Sequence, residues 1–202
     1  GRIMARRPRV FGAGLLYHVI VRGNQRRKTF RHDDDYRAYL DRLEKYRTQC
    51  QVRIYAYSLM PNHVHLLIET GSTPLAKFMQ GLQQSYTQHF NRSYRKVGHL
   101  FQGRYKAIIC HRDKYLLALV RYIHLNPVRA NLATRPERYR YSGHNGYLNH
   151  GTARIVEAAA MVDRDPSAWS PGVLLRPLAQ DHLLPTASYV GGPAEIAYHA
   201  QI

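Results

Sequence analysis

The chain has 202 residues, 45% of them hydrophobic, which is enough for one core with a short appendage. Thirty Lys and Arg against 13 Asp and Glu leave a formal net charge of +17, so the expected partner is a polyanion such as nucleic acid. The sequence contains no run of about 18 apolar residues and no secretory-signal pattern. It therefore predicts a soluble, cytoplasmic protein with no membrane partner. Cys50 and Cys110 form no C-x-x-C pair, which excludes a zinc ribbon or a disulfide framework.

The charge is uneven. Residues 151–202 hold 3 basic and 5 acidic side chains, whereas residues 1–150 hold 27 and 8. All five Phe and 14 of the 16 Tyr also precede residue 151. Cations interleaved with rings suit unpaired nucleic acid, where phosphates meet charge and bases stack. The predicted domains are thus 1–150 and an acidic-leaning tail, 151–202.

In chain order, Arg2 to Arg9 is a basic arm. Leu15 to Arg22 (LLYHVIVR) is apolar and β-branched, a central strand. Gly23 to Lys28 turns while presenting Arg26, Arg27 and Lys28. Asp33, Asp34 and Asp35 read as the N-cap and first-turn charges of a helix with Tyr36, Tyr39, Leu40, Leu43 and Tyr46 on one face. Val52 to Leu59 is a second strand, and Met60-Pro61-Asn62 connects it tightly to a third.

That third strand, His63-Val64-His65-Leu66-Leu67-Ile68, organises the chain. Residues i and i+2 of a strand share a face, so His63 and His65 can converge on one ion while Val64, Leu66 and Ile68 seal the other face onto a core. Two imidazoles still need a further ligand. Taken alone, such a pair is more often two half-buried histidines bonded to backbone.

Gly71-Ser72-Thr73-Pro74 starts a helix whose Leu75, Phe78, Met79, Leu82, Tyr86 and Phe90 are predicted core. Arg92, Arg95, Lys96, Arg104 and Lys106 surround its exit, and Arg104 to Cys110 is a fourth strand. Asp113 reads as the cap of a helix over Lys114 to Pro127. Tyr122 and Asn126 stand one turn apart on it, and Pro127 predicts an end or a kink.

Met60-Pro61-Asn62-His63-Val64-His65, followed by Arg121-Tyr122-Ile123-His124-Leu125-Asn126-Pro127-Val128-Arg129-Ala130, resembles the single-tyrosine HUH transposases. Within them the chain is most similar to the REP-associated tyrosine transposases. The resemblance covers about residues 10–148 and includes Tyr17-His18-Val19, Arg22-Gly23-Asn24 and Gly98 to Arg104. It implies an α+β, ferredoxin-like fold with a central antiparallel sheet. It also implies His63, His65 and Asn126 as ligands of a divalent metal, Mg²⁺ or Mn²⁺, and Tyr122 as the nucleophile. A free phenol, with a pKa of about 10, needs a nearby cation or base to attack at neutral pH.

The implied function is a transposase: metal-dependent cleavage and rejoining of single-stranded or hairpin DNA through a 5'-phosphotyrosine intermediate. Arg22, Asn24, Arg26, Arg27, Gln102 and Arg104 are the expected DNA contacts, and a homodimer is compatible with the family. The alternatives are a catalytically silent DNA-binding regulator and a phosphohydrolase that uses water. Tyr115 lacks a ligand-capable residue four positions on, and His124 points about 200° away from Tyr122 around the helix, so both are expected to be structural. The stretch from Leu174 to Tyr198 resembles part of the bacillithiol-biosynthesis cysteine-adding enzymes, which implies a gene-fusion fragment with no activity of its own; the competing reading is a lineage-specific tail that packs on the core or modulates DNA access.

Overall fold

The computed structural model describes residues 12–148 and 155–157. The basic arm and nearly all of the 151–202 tail lie outside them. Four strands, β1 (Leu16–Arg22), β2 (Arg53–Met60), β3 (His63–Glu69) and β4 (Lys106–Cys110), form one sheet in the order β2-β3-β1-β4 with every neighbouring pair antiparallel. Helix α1 (Asp33–Cys50) joins β1 to β2 and helix α2 (Leu75–Tyr94) joins β3 to β4, a βαββαβ order that is ferredoxin-like. Helix α3 (Arg112–Arg129) follows β4.

Strand alternation divides the sheet into two chemically different faces. Tyr17, Val19 and Val21 of β1 and Val64, Leu66 and Ile68 of β3 are buried together with Tyr39 and Leu43 of α1 and Phe78, Met79, Leu82, Tyr86 and Phe90 of α2. All six core positions expected on α2 are buried. The opposite face of β3 carries His63, His65, Leu67 and Glu69, and α3 packs over it. β1 contributes Leu16, His18, Ile20 and Arg22 to that face, each paired across to the corresponding β3 residue.

The outer edge of β2 is covered. Leu59 donates to the Tyr141 carbonyl at 2.9 Å, and the amides of Gly143 and Glu157 donate to Tyr57 and Ile54 at 3.0 and 2.9 Å. This protects an edge that would otherwise offer unpaired backbone to another chain. A Cβ on Gly143 would stand 2.7 Å from a methyl of Val156, so the close approach needs glycine. Residues 155–157, beyond the expected boundary at 150, thus bond to β2, and Glu157 pairs with Arg47 at 3.0 Å.

Four sequence expectations are corrected. The N-cap of α1 is His32; Asp35 lies in the first turn and accepts from the amides of Arg31 and His32 at 2.8 and 3.2 Å. Asp113 is not the cap of α3, which starts at Arg112 behind His111. Pro127 does not end α3. A proline forfeits its own donor and crowds the carbonyl four residues back, yet α3 runs on to Arg129 and its last turn closes through Ala130 N–H to the Asn126 carbonyl at 2.9 Å. Finally, the rings are mostly core. The four described Phe and eight Tyr are buried, and several phenols end on carbonyls, such as Tyr86 on Thr29 at 2.7 Å and Tyr139 on Leu59 at 2.6 Å. A tyrosine spans from apolar packing to a buried acceptor, which explains the composition without base stacking.

Leu66 is 0% exposed between the helix pair and the neighbouring strands. Leu66→Ala is expected to lower unfolding free energy by about 2–5 kcal/mol in urea titrations, because a cavity is added to the forfeited transfer energy. A change below about 1 kcal/mol would show that this face is not the organising core.

Candidate active site

The two-residue turn Pro61-Asn62 launches β3 so that His63 and His65 emerge on the α3 face, their ring centroids 5.0 Å apart. Asn62 is held first: its Nδ2 donates to the Arg26 carbonyl at 3.2 Å, which turns Oδ1 toward His63. Oδ1 lies 2.7 Å from His63 Nδ1. A carboxamide oxygen only accepts, so Nδ1 carries the proton and Nε2 keeps its lone pair. His65 Nδ1 lies 2.9 Å from Nε2 of His18, a buried residue of β1. Both β3 imidazoles therefore have Nδ1 engaged within the protein, and for His63 the proton on Nδ1 leaves Nε2 as the remaining donor to a cation.

Helix α3 forms the roof. The Tyr122 ring stands edge-on to both buried imidazoles, with centroids 6.0 Å from His65 and 5.9 Å from His18. One turn later, Asn126 Nδ2 donates to the Tyr122 carbonyl at 3.1 Å, and Arg129 Cζ lies 5.6 Å from the centre of the Tyr122 ring. Tyr122 and His65 thus meet within one chain. His124 turns elsewhere: it is buried against His144 and Tyr147, with ring centroids 5.2 and 5.4 Å away. The ring that faces His65 is that of Tyr122.

The register of the roof is set at the far end of the same strand face. Buried Glu69 pairs with Arg112 of α3 at 2.5 Å and with Arg53 at 3.1 Å, and accepts from the Tyr55 hydroxyl at 2.9 Å. The rise from Arg112 to Tyr122 along a helix is about 15 Å. The strand rise from Glu69 to His65 is about 13 Å. Anchoring Arg112 on Glu69 consequently delivers Tyr122 to the histidines.

Burial dominates the electrostatics. It lowers the His63 pKa to about 4, with Arg22 acting in the same direction. Burial, then His18, His63 and Arg22, hold His65 well below the ordinary range. Burial and Lys106 lower His18 to about 4. All three rings are neutral at neutral pH, as metal ligation and its outer support require. Burial raises the Tyr122 phenol, opposed by a hydrogen bond from Asn126 and by the charges of Arg129 and Arg22. An unassisted Tyr122 is therefore a poor nucleophile, and the groups that ease its ionisation already surround it.

Among the described residues, no group of three or more His, Cys, Asp or Glu is arranged to hold a metal. What the strand face offers is two neutral imidazoles with engaged Nδ1 atoms, while Asn126, the third expected ligand, stands on α3 bonded to the Tyr122 carbonyl. That mixed, incomplete set suits a catalytic cation that also binds substrate oxygens, and does not suit a closed structural zinc.

The six expected DNA contacts are exposed and come together from two loops. Arg22, Asn24, Arg26 and Arg27 leave β1, while Gln102 and Arg104 precede β4. Asn24 N–H donates to the Leu100 carbonyl, and Gln102 N–H to the Arg22 carbonyl, both at 2.8 Å. Asn62 ties the first loop to the histidine turn. Sequence reasoning left His18, Glu69, Arg112 and Arg129 without roles, although a histidine inside an apolar strand and a glutamate ending one were visible signals.

The profile of the family described as "Transposase IS200 like" matches residues 13–126. The chain belongs to the IS200-like transposases. Its fold is similar to a solved REP-associated tyrosine transposase bound to a REP hairpin, with 17% identity, TM-score 0.62, and coverage of 73% of this chain and 87% of that one. The expected likeness to cysteine-adding enzymes is also found. This transposase is 47% identical over 66 residues to a BshC cysteine ligase of Chlorobium phaeobacteroides, covering 33% of this chain and 10% of the ligase. It is 56% identical over 59 residues to that of Koribacter versatilis, covering 28% and 11%. The chain spans about a tenth of the length of these ligases. No helix among the described residues of the transposase is long and apolar enough to cross a membrane.

A Cβ on Gly23 would lie 2.2 Å from the Arg27 carbonyl oxygen. Gly23→Ala is expected to open the first loop and to weaken hairpin-DNA binding, measured by fluorescence anisotropy. It should also cost about 1–3 kcal/mol of stability. Unchanged values of both would show that the loops are not held by this close approach.

Proposed function

We propose that this transposase cleaves and rejoins single-stranded or hairpin DNA through Tyr122, with Mg²⁺ or Mn²⁺ held by His63, His65 and Asn126. The observation that carries this reading is the position of the Tyr122 ring, edge-on to His65 at 6.0 Å on the polar face of the sheet. The hairpin bound by the structural neighbour supports DNA of that form as the partner.

Tyr122 Oη attacks the scissile phosphorus and loses its proton. The P–O3' bond breaks, the departing strand leaves as a 3' hydroxyl, and the 5' phosphate stays on the tyrosine as a phosphodiester. A second 3' hydroxyl reverses the step and rejoins DNA without net hydrolysis. A divalent cation, when bound, polarises the phosphate and stabilises charge developing on its oxygens. Arg129 and Arg22 favour the ionised phenol, and α3 excludes water from the buried rings. Arg22, Asn24, Arg26, Arg27, Gln102 and Arg104 orient the strand. We assign residues 151–202 no catalytic part.

Incubation with a labelled hairpin and Mn²⁺ is expected to give a protein-DNA adduct that survives denaturation and is prevented by EDTA. Tyr122→Phe should abolish the adduct while binding changes little. A silent regulator gives no adduct with the native chain, and a water-using hydrolase gives free ends. An adduct that persists in Tyr122→Phe would refute the nucleophile.

Replacing Arg26, Arg27 and Arg104 together by Gln is expected to reduce the slope of log K against log salt by about 0.7–0.9 for each phosphate that the variant no longer neutralises. An unchanged slope would place the DNA on another surface.

A further inference from the structure

A third imidazole, outside the proposed ligand set, neighbours both His65 and Tyr122. His18 is 0% exposed, at the centre of β1. Its Nε2 is 2.9 Å from His65 Nδ1, and the ring centroids are 5.2 Å apart with planes inclined by 18°, a geometry that fits an end-on N–H···N bond. Its other neighbour is Tyr122, 5.9 Å away edge-on. Leu67 of β3 and Ile108 of β4 flank it across the sheet.

We infer that His18 is the positioning residue of the site: it accepts the His65 Nδ1 proton on its own Nε2, and so fixes the tautomer and angle at which His65 presents Nε2 beneath Tyr122. The inference rests on the proposed cation site and extends it. His63 and His65 are supported differently. The carboxamide oxygen beside His63 can only accept, so its polarity is set outright. An imidazole can play either part, so the bond to His18 permits two arrangements.

Only one arrangement leaves His65 Nε2 with a lone pair on the Tyr122 side. In it His18 holds its proton on Nδ1 and its Nε2 lone pair is spent on His65, which makes His18 outer support and not a third ligand. The alternative protonates His65 Nε2 and disables it toward any cation. Outer partners of this kind are worth about 10–100-fold in metal affinity.

The first test needs neither variant nor metal. Ring-nitrogen NMR of the ¹⁵N-histidine-labelled full chain, free of metal, is expected to show His65 protonated on Nδ1 and His18 unprotonated on Nε2. A proton on His65 Nε2 overturns the inference.

The second test is Mn²⁺ binding, followed by electron paramagnetic resonance. His18→Phe, which keeps a ring but no acceptor, should weaken Mn²⁺ about 10–100-fold. Its adduct formation should recover at raised Mn²⁺, because Tyr122 is intact. His18→Gln, whose carboxamide oxygen can replace Nε2, should bind within a few-fold of the native chain. If His18→Phe does not fold, the Gln variant and the NMR decide. A folded Gln variant that loses Mn²⁺ as completely as His65→Ala overturns the role. A native chain that binds no Mn²⁺ sinks the cation reading, while the His65 tautomer still decides the hydrogen bond.

Discussion

Strand β3 has to satisfy two environments at once, and its alternation is the constraint on which the rest hangs. Val64, Leu66 and Ile68 are fully buried against α1 and α2, and that adhesion holds the strand between β1 and β2 with ladder bonds on both sides. The side chains in between are then forced to the opposite face at a fixed spacing. His63, His65 and Glu69 need no loop to carry them. They stand on a central strand paired on both sides, which fixes their spacing.

The roof is registered against the same strand. Glu69 takes Arg112 at one end of α3, and the helical rise brings Tyr122 over the histidines at the other. Both meeting points are poorly solvated. A buried carboxylate survives because two guanidiniums and a phenol satisfy it. The imidazoles survive by staying neutral and bonding through Nδ1. Tyr122 is left in between, its ionisation opposed by burial and favoured by Asn126, Arg129 and Arg22.

The polar loops extend this logic to the surface. Asn62 is at once the support of His63 and the tie to Arg26, so the exposed cations after β1 and the outer histidine of the site share one hydrogen-bond chain. Leu100 and Gln102 join the second basic loop to the first through backbone bonds. Placement of the basic loops and orientation of the candidate ligands are therefore coupled mechanically. The tyrosines that make the composition look suited to base stacking are largely spent on the core, where the hydroxyls of Tyr86 and Tyr139 end on backbone carbonyls and that of Tyr55 on Glu69.

Local rules were sufficient for the elements. Alternation gave the strands to within two residues, the 3.6-residue period gave the buried face of α2, and the His63/His65 and Tyr122/Asn126 spacings each placed two groups on one side of one element. Boundaries at α1 and α3 differ from the expected ones because acidic residues near a helix start suit the first turn as well as the cap, and because a proline disfavours a helical turn without forbidding it. The sequence could not place Tyr122 against His65, identify His18 as the partner of His65 or Glu69 as the anchor of Arg112. Each of those pairs joins elements tens of residues apart, and their distances follow only once the strand order β2-β3-β1-β4 and the side taken by α3 are settled by burial of the whole chain.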